Sequence, residues 1–204
     1  MYIPKFNLAT DRGQIVAFMQ RFSFATIISN KGGVPIATHL PFLVSIRNDQ
    51  VVLSSHFAKA NEQWRDLESS KILVIFSEPH AYISTTNYDK ELNVPTWNYI
   101  SVHAYGKCSL MTEPSKALEI INSTIDNFES TYRQQWDAFP EDYKLKMLNG
   151  IVAFELEVND LQAKNKLSQN RTETEKTKII ESLAKSDDCN EKTIAEYMLR
   201  CKNT

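Results

Sequence analysis

A mainly β fold with flanking helices (α+β), in which an antiparallel sheet curls into a barrel, is predicted by three features of the sequence. Short runs rich in β-branched residues recur along the chain, tight-turn signals separate them, and few crossover helices lie between them. The chain has 204 residues, of which 42% are hydrophobic, enough to build such a core without disulfides.

In chain order, Thr10 or Asp11 caps a first helix in which Ile15, Phe18, Met19 and Phe22 share one face. FATIISN, from Phe24, turns β-branched and forms the first strand. Lys31-Gly32-Gly33 is a turn of the kind that joins antiparallel strands, and PIATHLPFLV resumes from Pro35 until Arg47-Asn48-Asp49 turns the chain again. A return strand covers 51–55, and a helix is expected over 61–67. KILVIFS from Lys71, HAYIS from His80, a strand over 95–109 and IVAFELEV from Ile151 complete the sheet. Pro114 opens a helix with Ala117, Leu118, Ile121 and Ile125 at helical spacing, and a second helix from Pro140 carries Tyr143, Leu145, Met147 and Leu148. These two helices are expected to cover a barrel end. Beyond Asp160 the composition turns polar through QAKNKLSQNRTETEK, and helical segments then carry Ile179, Ile180 and Leu183, followed by Ile194, Tyr197, Met198 and Leu199. This tail either docks or dimerises.

Composition excludes several classes. A net charge of −2 and an isoelectric point near 6.1 argue against a generally basic nucleic-acid surface or an electrostatic membrane anchor. Cys108, Cys189 and Cys201 are an odd number at no metal-ligand spacing and read as reduced thiols of an intracellular protein. The opening MYIPKFNLATDR lacks a basic region followed by an apolar run, and no stretch approaches the roughly 18 apolar residues of a membrane span. A soluble, cytoplasmic protein without a membrane partner is expected.

The most informative segment is VVLSSHFAKANEQW, residues 51–64. Three β-formers give way within two residues to Ser54, Ser55, His56 and Lys59, with a helix-favouring composition after a cap at Asn61 or Ser55. A strand handing over to a helix start gathers hydroxyls, amide N–H groups and a lysine, which together suit a phosphate. The alternative is a polar strand end with a solvated lysine. All four histidines, His39, His56, His80 and His103, sit in β-rich polar-aromatic motifs. No pair has the i, i+2 or i, i+4 spacing that local geometry would turn into a metal site, so hydrogen-bonding or ligand-contacting roles are expected and no metal. In WNYISVHAYG, alternation puts Tyr99, Ser101, His103 and Tyr105 on one face and Ile100, Val102 and Ala104 on the other, so one face is core and the other lines a cleft or a subunit interface.

The motifs MYIPK, DRGQIVAFM, FATIISN, ATHLPFLV, SSHFAKANEQW, LVIFSEPHAYIS, VPTWNYISVHAYG, EDYKLKMLNGIVAFELEV and KNKLSQNR, in this order and spacing, closely resemble the PaiB-type FMN-binding negative transcriptional regulator family, among the split-barrel flavoproteins related to pyridoxamine phosphate oxidase. The resemblance covers about residues 1–171. It implies an antiparallel FMN-binding split β-barrel over 1–171, with 172–204 as a helical extension of the same domain. It further implies a homodimer that binds FMN at the subunit interface. Ala37, Thr38, His39 and Leu40 would lie along the isoalloxazine ring. Ser54, Ser55, His56, Lys59 and Asn61 would hold the phosphate, and Trp97, Asn98 and His103 would approach from the partner subunit.

The likeness has limits that bear on activity. KLSQNR, residues 166–171, stands where the oxidases carry a basic motif touching cofactor and substrate, yet this chain continues for some thirty residues and ATHLP lacks the oxidases' arginine pair. Lys166 and Arg171 are read either as anion contacts or as surface charges. The regulator name implies DNA as a partner, for which the sequence offers no helix-turn-helix, zinc finger or basic stripe. An FMN-dependent oxidoreductase of an unassigned small molecule, with His39, His56 and His103 as acid–base candidates, and a flavin or haem-related ligand carrier are the alternatives.

Overall fold

The computed structural model describes residues 1–202, and the last two positions of the expected 172–204 extension lie outside the described residues. The chain forms two compact units, one comprising 12–76 and 103–161 and the other 1–11, 77–102 and 162 onward. An eight-stranded antiparallel sheet runs β2-β1-β5-β7-β8-β4-β3, with β6 paired to β7.

In the first unit, α1 (Arg12–Arg21) buries Ile15, Val16, Phe18 and Met19. The hairpin β1 (Phe24–Lys31) and β2 (Val34–Pro41) turns through Gly32 and Gly33, whose φ values of 60° and 86° favour glycine. The expected single strand PIATHLPFLV is instead two strands. Phe42 breaks it: its N–H donates to the Ser23 carbonyl (2.9 Å) and its ring turns into the core against Phe76 and Phe154, with centroids 6.0 and 6.1 Å away. The chain then resumes as β3 (Leu43–Arg47), turns at Asn48 and Asp49, both at positive φ, and returns as β4 (Gln50–Ala58). β4 runs three residues past the expected end at Ser55, because β8 keeps pairing with it as far as Ala58 opposite Ile151. Asn61 caps the next segment, but Glu62–Asp66 is a short 3-10 turn in place of the expected helix. β5 (Ile72–Phe76) fills the sheet beside β1.

α2 (Pro114–Phe128) packs Ala117 and Ile120 onto Ala153 of β8 (Ile151–Lys166), with Met111 and Leu148 completing that cluster. A small helix, α3 (Arg133–Asp137), precedes α4 (Glu141–Leu148), where Tyr143, Leu145 and Met147 remain exposed despite their apolar character. The long strand β7 (Thr96–Leu110) buries Ile100, Val102 and Ala104 as expected, and buries Ser101 of the opposite face as well.

In the second unit, β6 (His80–Ile83) pairs with the start of β7. β8 extends well past Val158 through residues whose polarity hides a strand. The amino-terminal segment lies beside it, with Leu8 bridged to Lys164 and the Ala9 N–H donating to the Ala163 carbonyl (3.1 Å). α5 (Glu173–Ala184) opens with a capping box in which Thr172 and Glu175 exchange side-chain and backbone hydrogen bonds. Glu175 also accepts from the Asp89 N–H at 3.1 Å. α6 (Cys189–Lys202) packs on α5 and on β6, burying Ile194, Ala195 and Met198.

At Gly106 the backbone of β7 closely approaches β8: a Cβ there would sit 2.2 Å from the Glu157 carbonyl oxygen and 2.7 Å from Leu156 Cδ2. Backbone cannot yield as a side-chain tip can, so Gly106→Ala is expected to cost at least about 2 kcal/mol. Chemical denaturation of the variant checks this, and a midpoint equal to wild type would disprove the close approach.

Candidate functional site

A buried amide organises the expected site. Thr38 stands on β2, the end strand of the sheet; its hydroxyl donates to Gln63 Oε1 (2.5 Å) and accepts from Asn61 Nδ2 (2.9 Å). Gln63, 3% exposed, donates from Nε2 to the carbonyls of Ile36 on β2 (3.1 Å) and Ile27 on β1 (3.4 Å). Asn61 Oδ1 accepts from the Gln63 N–H (3.1 Å). One side chain thus clamps β1, β2 and the turn after β4. Sequence reasoning reaches Thr38 and Asn61 but misses Gln63, whose only local signal is its place two residues after a capping asparagine.

The rest of the turn is held by backbone. The Lys59 N–H donates to Gly150 (2.8 Å) and its carbonyl accepts from the Trp64 indole N–H (3.1 Å), while the Asn61 N–H donates to Ala58 (2.9 Å). The Lys59 side chain is exposed and has no ion-pair partner among the described residues. Ser54 and Ser55 lie inside β4, so the expected strand-to-helix handover does not occur at them. Ser55 is buried and donates to the Pro41 carbonyl (2.7 Å), and Ser54 donates to Glu155 Oε1 (3.0 Å). Both hydroxyl protons are committed within the protein. His56, between these serines and Lys59, is half-buried, and desolvation pushes its pKa below the usual 6.5.

On β2, Ala37 and His39 are exposed and Leu40 is half-buried, and the His39 ring stacks at 6.4 Å on Phe24 of β1. His103 on β7 is half-buried, faces Tyr105 (6.4 Å), leaves Nδ1 buried with no hydrogen-bond partner and is likewise pushed down by desolvation.

Trp97 and Asn98 belong to the second unit. Trp97 is 51% exposed and packs against the rings of His80 and Tyr82, 5.8 and 5.7 Å away. Asn98 is fully buried, with its amide shared between the Ser168 hydroxyl (3.0 Å) and the Met198 sulfur (3.5 Å). Lys166 Nζ donates to Thr96 Oγ1 (2.5 Å), and burial lowers its pKa. Lys164 is buried, donating to the Tyr99 hydroxyl at 2.7 Å. Arg171 stacks 3.6 Å over Tyr88 and donates to Asn93 (2.8 Å), which gives it a structural role in the folded chain. Among the described residues no cluster of three His, Cys, Asp or Glu side chains could hold a metal, and no helix is long and apolar enough to cross a membrane.

Residues 1–160 match the family model described as "Putative FMN-binding domain". The chain belongs to this PaiB-type FMN-binding family. The Bacillus subtilis relative named "Protease synthase and sporulation protein PAI 2" is 42% identical over 202 residues, spanning 97% of this chain and 96% of that protein. Among solved structures, the flavocytochrome Anf3 from Azotobacter vinelandii aligns with a TM-score of 0.63 at 16% identity, covering 80% of this chain and 72% of that one. The FAD and heme binding protein from Mycobacterium smegmatis aligns at 0.61 and 16%, covering 78% and 73%. These structural likenesses establish the split-barrel fold, and the family match establishes FMN as the family's cofactor.

Gln63→Leu removes the Nε2 donor from the Ile27 and Ile36 carbonyls and the acceptor of the Thr38 hydroxyl proton and is expected to cost about 1–3 kcal/mol; an unchanged thermal midpoint would show that the clamp does not hold the strands. For His56, the folded pKa lies below the unfolded 6.5, so the unfolded chain takes the proton first. Its contribution to stability is therefore complete above about pH 6.5 and declines as pH falls toward the folded value. His56→Gln should flatten part of the wild-type loss of stability between about pH 7 and pH 5, as read from melting curves across that range.

Proposed function

We propose that FMN lies along the exposed face of β2, beside Ala37, Thr38, His39 and Leu40, with its phosphate toward Lys59, Asn61 and His56. The observation that carries this reading is the Lys59 ammonium, exposed and without an ion-pair partner among the described residues, two residues before an asparagine fixed by the Thr38–Gln63 clamp. A phosphate supplies the missing counter-charge through charge-assisted contacts. The donor set fits the cofactor: an unpaired cation, a preorganised amide and an edge strand able to offer backbone groups to a planar ring. Ser54 and Ser55 contribute indirectly, by fixing β4. When bound, FMN supplies redox chemistry at its flavin ring; the protein's part is to seat it and to exclude water.

The assembly proposed is a homodimer, with Trp97 of the partner subunit covering the flavin. Exposed Phe24 (66%) and Val34 (63%) on the β1–β2 hairpin support it, because large apolar side chains on an end hairpin favour burial by a second copy. His103, with its unpartnered Nδ1, is a further ligand contact in this reading. We assign residues 1–171 to the cofactor-binding barrel and 172–204 to its extension. The output proposed is cytoplasmic regulation, as the resemblance to the PaiB-type regulators implies, with DNA or a protein as the recipient. An FMN-dependent oxidoreductase is the second reading, favoured by the His103 imidazole, whose buried Nδ1 has no hydrogen-bond partner and is free to serve as an acid–base group.

The test is the visible spectrum of purified protein after FMN addition and removal of excess, together with its mass in solution. One flavin per chain of a dimer is expected. Lys59→Ala should weaken FMN by about 1–3 kcal/mol, and equal occupancy in variant and wild type would remove Lys59 from the site. Salt-dependent duplex binding would support regulation through DNA, whereas turnover of a nicotinamide donor by the loaded protein would favour the enzyme.

A further inference from the structure

The first unit contains a cleft of about 860 Å³ that the flavin reading does not use, apart from Ser54 at its edge. It lies between α2 on one side and β3, β4 and β8 on the other. Its apolar lining is Phe42, Leu43, Val44, Met111 and Ile120. This volume is in the range of pockets that enclose small organic molecules, which combine apolar walls with a few convergent polar groups.

The charges in the cleft are unequally matched. Arg47 is paired with Glu155 (2.5 Å), and Ser54 donates to the same carboxylate oxygen, Oε1 (3.0 Å), so Glu155 Oε2 receives neither bond. Lys116 is paired one helical turn back with Glu113 (3.3 Å). Glu119 has no hydrogen-bond or ion-pair partner among the described residues, nor have the side chains of Ser123 and Asn127. Glu119, Ser123 and Asn127 stand at i, i+4 and i+8 on α2 and all line the cleft, so one face of the helix presents a row of unengaged oxygen and amide groups. Across from that row, Phe42, Leu43 and Val44 offer hydrocarbon beside the Arg47–Glu155 pair and Ser54.

We infer that this cleft binds a small organic ammonium compound, its charge set against Glu119, the carboxylate of the lining without a cationic partner among the described residues, its hydroxyl or amide groups against Ser123 and Asn127, and its carbon frame against Leu43, Val44 and Ile120. An anionic ligand is disfavoured because both cations in the lining already have carboxylate partners. A neutral ligand would gain no charge-assisted contact from Glu119.

The experiment uses full-length protein saturated with FMN, so that the flavin site is filled and flavin occupancy is read separately from the visible spectrum. Tyramine, its neutral isostere para-propylphenol and its anionic counterpart para-hydroxyphenylacetate are titrated in turn and followed by ligand-observed NMR. Saturable tyramine binding at least about tenfold tighter than either counterpart is expected. Glu119→Gln should abolish that preference, and Asn127→Ala should weaken tyramine several-fold, with FMN occupancy unchanged in both. Equal binding of the three compounds, no binding of tyramine, or a preference that survives Glu119→Gln would overturn the assignment. Because both substituted side chains are exposed, unchanged melting curves will separate lost binding from lost fold.

Discussion

The fold of the first unit depends on the inward turn of Phe42. The segment from Pro35 to Arg47 has the composition of one continuous strand, yet the Phe42 ring is 1% exposed and packs against Phe76 and Phe154. Burying an aromatic side chain of this size is worth roughly 2–3 kcal/mol, enough to offset the ladder hydrogen bonds lost at one residue. The bend sends β2 and β3, adjacent in sequence, to opposite ends of the sheet order. Ser55 then bonds across to Pro41. A sheet whose two end strands are joined by one buried residue must curl.

That curl separates two surfaces with different chemistry. The β2 side carries the Thr38–Asn61–Gln63 clamp and the unpaired Lys59, which suits a phosphorylated cofactor. The β3 side, next to α2, carries hydrocarbon and the Arg47–Glu155 pair opposite a polar row whose one unpaired charge is a carboxylate. The serines of β4 illustrate the division, since neighbouring residues of a strand point to opposite faces: Ser55 bonds to the end of β2, whereas Ser54 reaches Glu155 and the edge of the cleft.

Much of the sheet was legible in the sequence because turns and alternation are local. Gly32-Gly33 and Asn48-Asp49 announce hairpins through the backbone conformations they tolerate, and WNYISVHAYG shows its two faces by period alone. The illegible parts depended on distant partners. The end of β8 reads as a polar linker, and only the amino-terminal segment beside it makes it a strand. Gln63 looks like any residue of a short turn, because its partners are carbonyls of Ile27 and Ile36, far away in sequence. The candidate site was therefore readable as a set of residue types, while its clamp, and the internal commitments of Ser54, Ser55 and Asn98, were not.

The carboxy-terminal helices are less of an appendage than their polar composition implies. In the second unit α6 packs on β6, Met198 caps the buried Asn98 amide, and Glu175 fastens the start of α5 to Asp89. A chain ending prematurely after the last strand would leave the apolar side of β6 facing water with no replacement cover. Such a product would be a natural substrate for chaperones and proteases, so quality control in the cell would discriminate between complete and interrupted copies before any cofactor was loaded.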